Sequence, residues 1–201
     1  MLKIEKEYKE TYSDIPNNFP ERLEYIFQNN NFKKIKEKII PEMDRIRNIK
    51  WKRISYTIFL LPKATPRPRS GKNGIFYVKG AKDNKKIFEK FMINQDIPLI
   101  TTPTKFYCSS YFPIPDSMRP IEKLCAEFGL IRPTSKPDWD NVAKAYCDMC
   151  QGFLLYDDSL VVEGVSKKFY SVKPRIEITL EYMEDYDCEF NKKKITKKGV
   201  D

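Results

Sequence analysis

Residues 136–163 read KPDWDNVAKAYCDMCQGFLLYDDSLVVE, and the backbone that this stretch dictates changes character twice. Pro137 fixes its own φ and disfavours the helical region for Lys136, so the approach to Asp138 is expected to be extended. In extended backbone, residues i and i+2 face the same side roughly 6 to 7 Å apart, which would aim Asp138 and Asp140 at one small volume. From Asp140 the period becomes helical. Val142, Tyr146, Met149 and Phe153 share one face, while Asp140, Lys144, Asp148 and Gln151 share the other. Asp140 is the expected N-cap, and Gly152 supplies the left-handed residue that ends such a helix. A turn bearing Asp157 and Asp158 then leads into a strand-like run from Leu160 to Val165.

Carboxylates thus stand before the helix and again before the strand. Two of them about 5 Å apart repel by roughly 3 kcal/mol at an effective dielectric near 20. A hard divalent cation relieves that repulsion, and Mg²⁺ takes oxygen from one or two carboxylates, water and substrate phosphates. Such a site suits phosphodiester hydrolysis. Lys144, one turn after Asp140, is placed to approach a phosphate or its attacking water. The competing reading is plain: solvated caps and turns, with Asp140, Lys144 and Asp148 an ordinary i, i+4 ladder.

The order and spacing of these residues resemble the signature of RusA-type Holliday junction resolvases, D-x-D-N-x-x-K, then a helix ending near Gly, then D-D-x-x-V. Weaker resemblance reaches residues 54–79 upstream and the strand at 176–182 downstream. The resemblance implies that Asp138, Asp140 and Asp158 bind Mg²⁺ (Mn²⁺ in its place) and that Lys144 assists cleavage. The pair itself leaves a choice, since Asp157 can share or replace the role of Asp158. Leu160 departs from the family, which often has glutamine there, but that side chain is no metal ligand. Also implied are a branched-DNA substrate, the four-way junction, and a homodimer that makes two symmetric nicks.

The background fits a polyanion partner: 37 Lys and Arg against 28 Asp and Glu give a net charge of +9. There is no histidine, which excludes Ser-His-Asp and Cys-His pairs, histidine bases and His-containing zinc sites. Nothing signals a small-molecule cofactor, since glycine-rich phosphate loops and dinucleotide fingerprints are absent. No apolar run approaches the ~18 residues of a membrane span and no secretory signal is seen, so a cytoplasmic chain of bacterial or phage origin, acting at the nucleoid, is expected. Five cysteines, Cys108, Cys125, Cys147, Cys150 and Cys188, make an odd count that argues against a disulfide framework. Cys147 and Cys150 form a C-x-x-C inside the expected helix. Packed thiols are the simple reading, and a metal or thiol protein built on them is the rival.

Residues 1–53 read as a helical extension of mixed charge, with Asn31 a cap and Pro41 a kink or a break between two helices. Ile54, Tyr56, Ile58 and Leu60 alternate as a strand. PKATPRPRSGKNG follows, with Lys63, Arg67, Arg69 and Lys72 on a proline-stiffened loop suited to backbone phosphates, and Asn73-Gly74 is a hairpin signal. Residues 81–93 read as a helix, 105–114 as an aromatic strand, and 117–129 as a helix capped by Ser117 and stopped by Gly129. Residues 160–170 and 175–182 read as two strands whose short connection suits a hairpin. Lys136, Lys167 and Lys168 add candidate phosphate contacts beside the acidic stretch. The end of the chain, from 185, is basic with little to bury.

The expectation is an α/β (α+β) fold: a small mixed sheet of about four or five strands with packed helices, forming a nuclease domain over 54–184. A helical extension (1–53) precedes it and a basic tail (185–201) follows. The expected activity is Mg²⁺-dependent endonucleolytic cleavage of branched DNA in recombination and repair. Two alternatives share the same basic loops: a junction-binding protein without catalysis, and a less selective structure-specific endonuclease.

Overall fold

The computed structural model describes residues 36–64, 69–71, 74–76, 82–93 and 99–188, together with Glu21 and Gln28. The chain divides into two units, one of Met1–Ile49 with Asp187–Lys194 and one of Lys50–Tyr186 with Ile195–Asp201. Arg67 and Lys72 lie outside the described residues, as do most of the expected extension and tail.

In the first unit, helix α1 spans Lys36–Arg47. Glu37 in its first turn and Arg45 and Arg47 in its last complement the helix dipole. Pro41 lies inside it, so of the expected kink or break there is no break, and one twelve-residue helix runs through. Arg45 pairs with Glu42 at 2.8 Å and donates to the Asp187 carbonyl.

The second unit is built on a four-stranded sheet of order β1-β6-β4-β5. Its strands are β1 (Trp51–Ile58), β4 (Thr104–Pro113), β5 (Val161–Ser171) and β6 (Arg175–Met183). Strand β6 pairs antiparallel with β1 and β4, and β4 pairs parallel with β5. β1 begins at Trp51, earlier than its apolar alternation suggested, because β6 continues to Met183 and supplies it a partner. β2 (Arg69–Gly71) and β3 (Gly74–Phe76) form the expected hairpin, but as a separate two-stranded ribbon. The helices of this unit are α2 (Lys82–Ile93), α3 (Pro120–Glu127) and α4 (Trp139–Cys150).

Strand alternation sorts the sheet into a dry and a wet face. Ile176, Ile178 and Leu180 of β6 and Phe106 and Cys108 of β4 are buried with Val142, Ala145 and Tyr146 of α4. The opposite face carries Tyr107 and Tyr111, which donate to Glu181 and Glu177. There Arg132, Phe169, Tyr111 and Arg175 form a layered stack, with the two rings 4.9 Å apart and a guanidinium over each end. Phe106 is thus core, and the strand tyrosines serve the sheet surface.

β5 and β6 do not form a hairpin, because β4 lies between them. Four Cα steps from Ser171 to Arg175 reach roughly 13 Å, enough to cross two strand spacings of roughly 4.8 Å each. The crossing passes the end of β4 at Pro113, which pairs with Ser171. Glu127 at the end of α3 holds it, accepting from Val172 N at 2.6 Å and Ser171 Oγ at 3.2 Å. α3 is capped by Arg119 and not by Ser117, since Glu122 reaches back to accept from Arg119 N at 2.7 Å. Its stop is Gly129 as expected, at φ 75°.

Tyr146 ties α4 to the segments before it. Its hydroxyl accepts from Lys63 N at 3.1 Å and Asn84 Nδ2 at 3.2 Å, and burial pushes its pKa up to about 12.

Candidate active site

The cap of α4 is Asp138, not Asp140: Asp138 holds extended backbone at φ −64° and ψ 147°, and the helix starts at Trp139. Asp140 falls in the first helical turn. The extended i, i+2 geometry therefore ends one residue too soon to bring the pair together. Both nonetheless line one open depression of about 610 Å³ with Pro133, Thr134, Ser135, Trp139 and Lys168. A helix N-terminus favours carboxylates and bound anions, so the start of α4 suits both the acids and a phosphate.

β5 holds this rim from beneath. Lys168 Nζ donates to the carbonyls of Ser135 at 2.7 Å and Pro137 at 2.8 Å, around a cis Lys136–Pro137 peptide. Ser166 Oγ donates to the Trp139 carbonyl at 2.8 Å. Ser166 and Lys168 share one strand face, opposite Cys108 and Ser110 of β4. Lys167, paired with Ser109, faces the other side of the sheet, so the two neighbouring lysines do not serve one site. Lys136 is exposed at the rim. Lys63 is half-buried where its backbone meets Tyr146, and the backbone of Arg69 pairs with Phe76.

Lys144 lies one turn beyond Asp140, largely exposed and 3.7 Å from Asp148, so the ladder is realised between those two. The second acidic pair sits at the far end of α4. Asp157 accepts from Gln151 Nε2 at 3.1 Å and Ser159 N at 2.9 Å, and the Ser159 bonds hold its carboxyl below the usual range. Asp158 opens a short 3₁₀ turn, Asp158–Leu160, and its charge is felt at Cys147 near the end of α4.

From Asp140 to Gln151 the helix rises roughly 16 Å. Within one chain the acids therefore form a pair at each end of α4. Among the described residues, no three Asp, Glu or Cys side chains lie close enough to hold a metal together. The expected meeting of both pairs fails because β5 runs back along α4, placing Asp158 beside its C-terminus.

Burial governs the thiols of α4 and β4. Cys150 is fully buried and Cys147 half-buried; burial pushes Cys147 up to about 11 and Cys108 to about 12. Lys168 as the clamp of the rim, and Trp139 on it, were not legible from the motif. Strand parity, with Ser166 and Lys168 two apart, was the signal for the clamp.

No described helix is long and apolar enough to cross a membrane. The chain is 35% identical over 134 residues, 63% of its length and 94% of the relative's, to the uncharacterized protein YqaN of Bacillus subtilis (strain 168). The family model described as endodeoxyribonuclease RusA matches residues 60–181, more than half of the chain and all of β4, α3, α4 and β5. With the acidic rim, its lysine clamp and strands β4 and β5 all inside that match, the chain belongs to the RusA family of endodeoxyribonucleases.

Proposed function

We propose that this chain is a Mg²⁺-dependent endonuclease that resolves four-way DNA junctions by paired nicks, in recombination and repair. The observation that carries this reading is Asp138 and Asp140 sharing one open depression with Lys168, in a chain of net charge +9. That pair suits a hydrated divalent cation, which binds through one or two carboxylates and leaves positions for water and phosphate oxygens. Bound there, it would supply Lewis-acid activation of water and neutralise charge on the phosphodiester. Mn²⁺ satisfies the same oxygen ligands.

The chain's own residues have separate tasks. Asp138 and Asp140 would hold the cation at the helix start. Lys168 fixes the Ser135 and Pro137 carbonyls and keeps the approach to Asp138 in place. Lys144 stands one turn on, where a phosphate drawn to the helix terminus can meet its ammonium.

Among the described residues no third carboxylate joins the pair within one chain, and Asp157 and Asp158 lie at the other end of α4. We assign the third ligand to Asp158 of the partner subunit in a symmetric dimer, which would also supply the two cuts that resolution requires.

A mixing experiment tests the assembly. Asp140→Asn and Asp158→Asn are each expected to leave a synthetic four-way junction uncut in Mg²⁺. Mixed and allowed to exchange subunits, they would regain one intact site per heterodimer and nick the junction. A mixture as inert as its components would place Asp158 in the same subunit's site or outside it. Wild-type protein that cuts no branched DNA would overturn the enzymatic reading itself.

A further inference from the structure

The chain has two tryptophans, and they are used differently. Trp51 lies beneath Lys105, whose Nζ is 4.7 Å from the ring centroid. Trp139 stands between Asp138 and Asp140 on the wall of the depression, with 62% of its surface exposed. Its backbone is fixed, since its carbonyl accepts from Ser166 Oγ at 2.8 Å and the helix begins with it. An indole on a rigid base, displayed to solvent between two carboxylates, is poor use of a large apolar side chain in a free protein. It is good use on a surface that takes a flat aromatic partner.

Resting on the reading of the acid pair above, we propose that Trp139 stacks on a nucleobase next to the scissile phosphate and thereby selects branched DNA. The chemistry around it fits one occupant. Lys168, which lines the same depression, offers charge to a backbone, and Thr134 and Ser135 line it with polar groups. Neighbouring Cα atoms are about 3.8 Å apart, so the ring and the two carboxylates reach adjoining parts of one nucleotide step. Stacking accepts any base, because every base has a π-face. In an intact duplex both faces of each base are already covered by neighbours. At a branch point a base can be unstacked at much smaller cost, and its face becomes available. The indole therefore distinguishes junction from duplex without reading sequence.

The test uses the full chain carrying Trp51→Phe, which leaves Trp139 as the sole tryptophan, excited selectively over the 12 tyrosines, in Mg²⁺-free buffer so that nothing is cut. Titration with a four-way junction is expected to quench the indole strongly, and duplex of the same sequence much less. Trp139→Leu should weaken junction binding about tenfold or more, while Trp139→Phe stays within about threefold of the parent. The slope of log affinity against log salt should be the same for all three, because no phosphate contact changes. Unaltered fluorescence at saturating junction, or junction affinity of Trp139→Leu equal to the parent's, would overturn the proposal while leaving the nuclease reading intact. Loss of self-association in Trp139→Leu at unchanged junction affinity would also overturn it, assigning the indole to a contact between copies. No junction binding by the parent would remove both.

Discussion

Cys147 illustrates how far a residue's surroundings decide its chemistry. A C-x-x-C pair invites metal or redox readings, yet burial and the nearby charges of Asp158 and Asp148 push its thiol from the ordinary 9.0 to about 11. At pH 8 such a thiol is thiolate in roughly one molecule in a thousand, against roughly one in ten for an ordinary one. Alkylation of Cys147 by iodoacetamide at pH 8, followed by peptide mass spectrometry, should therefore run roughly a hundredfold slower in folded than in unfolded protein. Because the folded value is raised, its contribution to stability is complete below pH 9 and is lost as pH climbs through 11. The acid residues were legible one by one, from type and spacing. Their meeting was not, because whether Asp158 reaches Asp140 depends on the direction in which β5 returns, and no local rule carries that.

At the scale of elements, helix periodicity read well: Val142, Tyr146 and Met149 are all buried, and Phe153, just past the end of α4, still packs against the core. The cap was misplaced by two residues, since Asp138 and Asp140 are equally good cap types. Glycine was the clearer signal. Gly129 and Gly152 adopt φ of 75° and 82°, where a side chain is strained whatever the space around it. Gly129→Ala should lower unfolding free energy by about 1–2 kcal/mol. Gly164→Ala, with nothing within 4 Å of the added carbon and no positive φ, should fall within about 0.5 kcal/mol of wild type in the same urea titration. Strand parity makes a second contrast. Lys168→Met should reduce junction cleavage at least tenfold by releasing the Ser135 and Pro137 carbonyls, whereas Lys167→Met, facing away across the sheet, should reduce it less than twofold. Equal losses would show that the two lysines serve the same surface.

For the whole molecule, the mixed α+β class followed from the alternation of strand and helix periods, but the strand order did not. A short link between β5 and β6 suggests a hairpin until β4, a long way back in sequence, is seen to lie between them. That insertion puts β5 at the sheet edge with α3 and α4 behind it, and so sets the acidic pair on a rim where DNA can reach it. A basic chain with its acids gathered at the ends of one helix is expected to hold DNA through many cations and to cut it at few carboxylates. The most direct measurement compares wild type and Asp140→Asn on a synthetic four-way junction in Mg²⁺, following binding and nicking in the same samples. The variant is expected to bind within about threefold of wild type and to make no nicks. Nicking by Asp140→Asn at the wild-type rate would contradict that expectation.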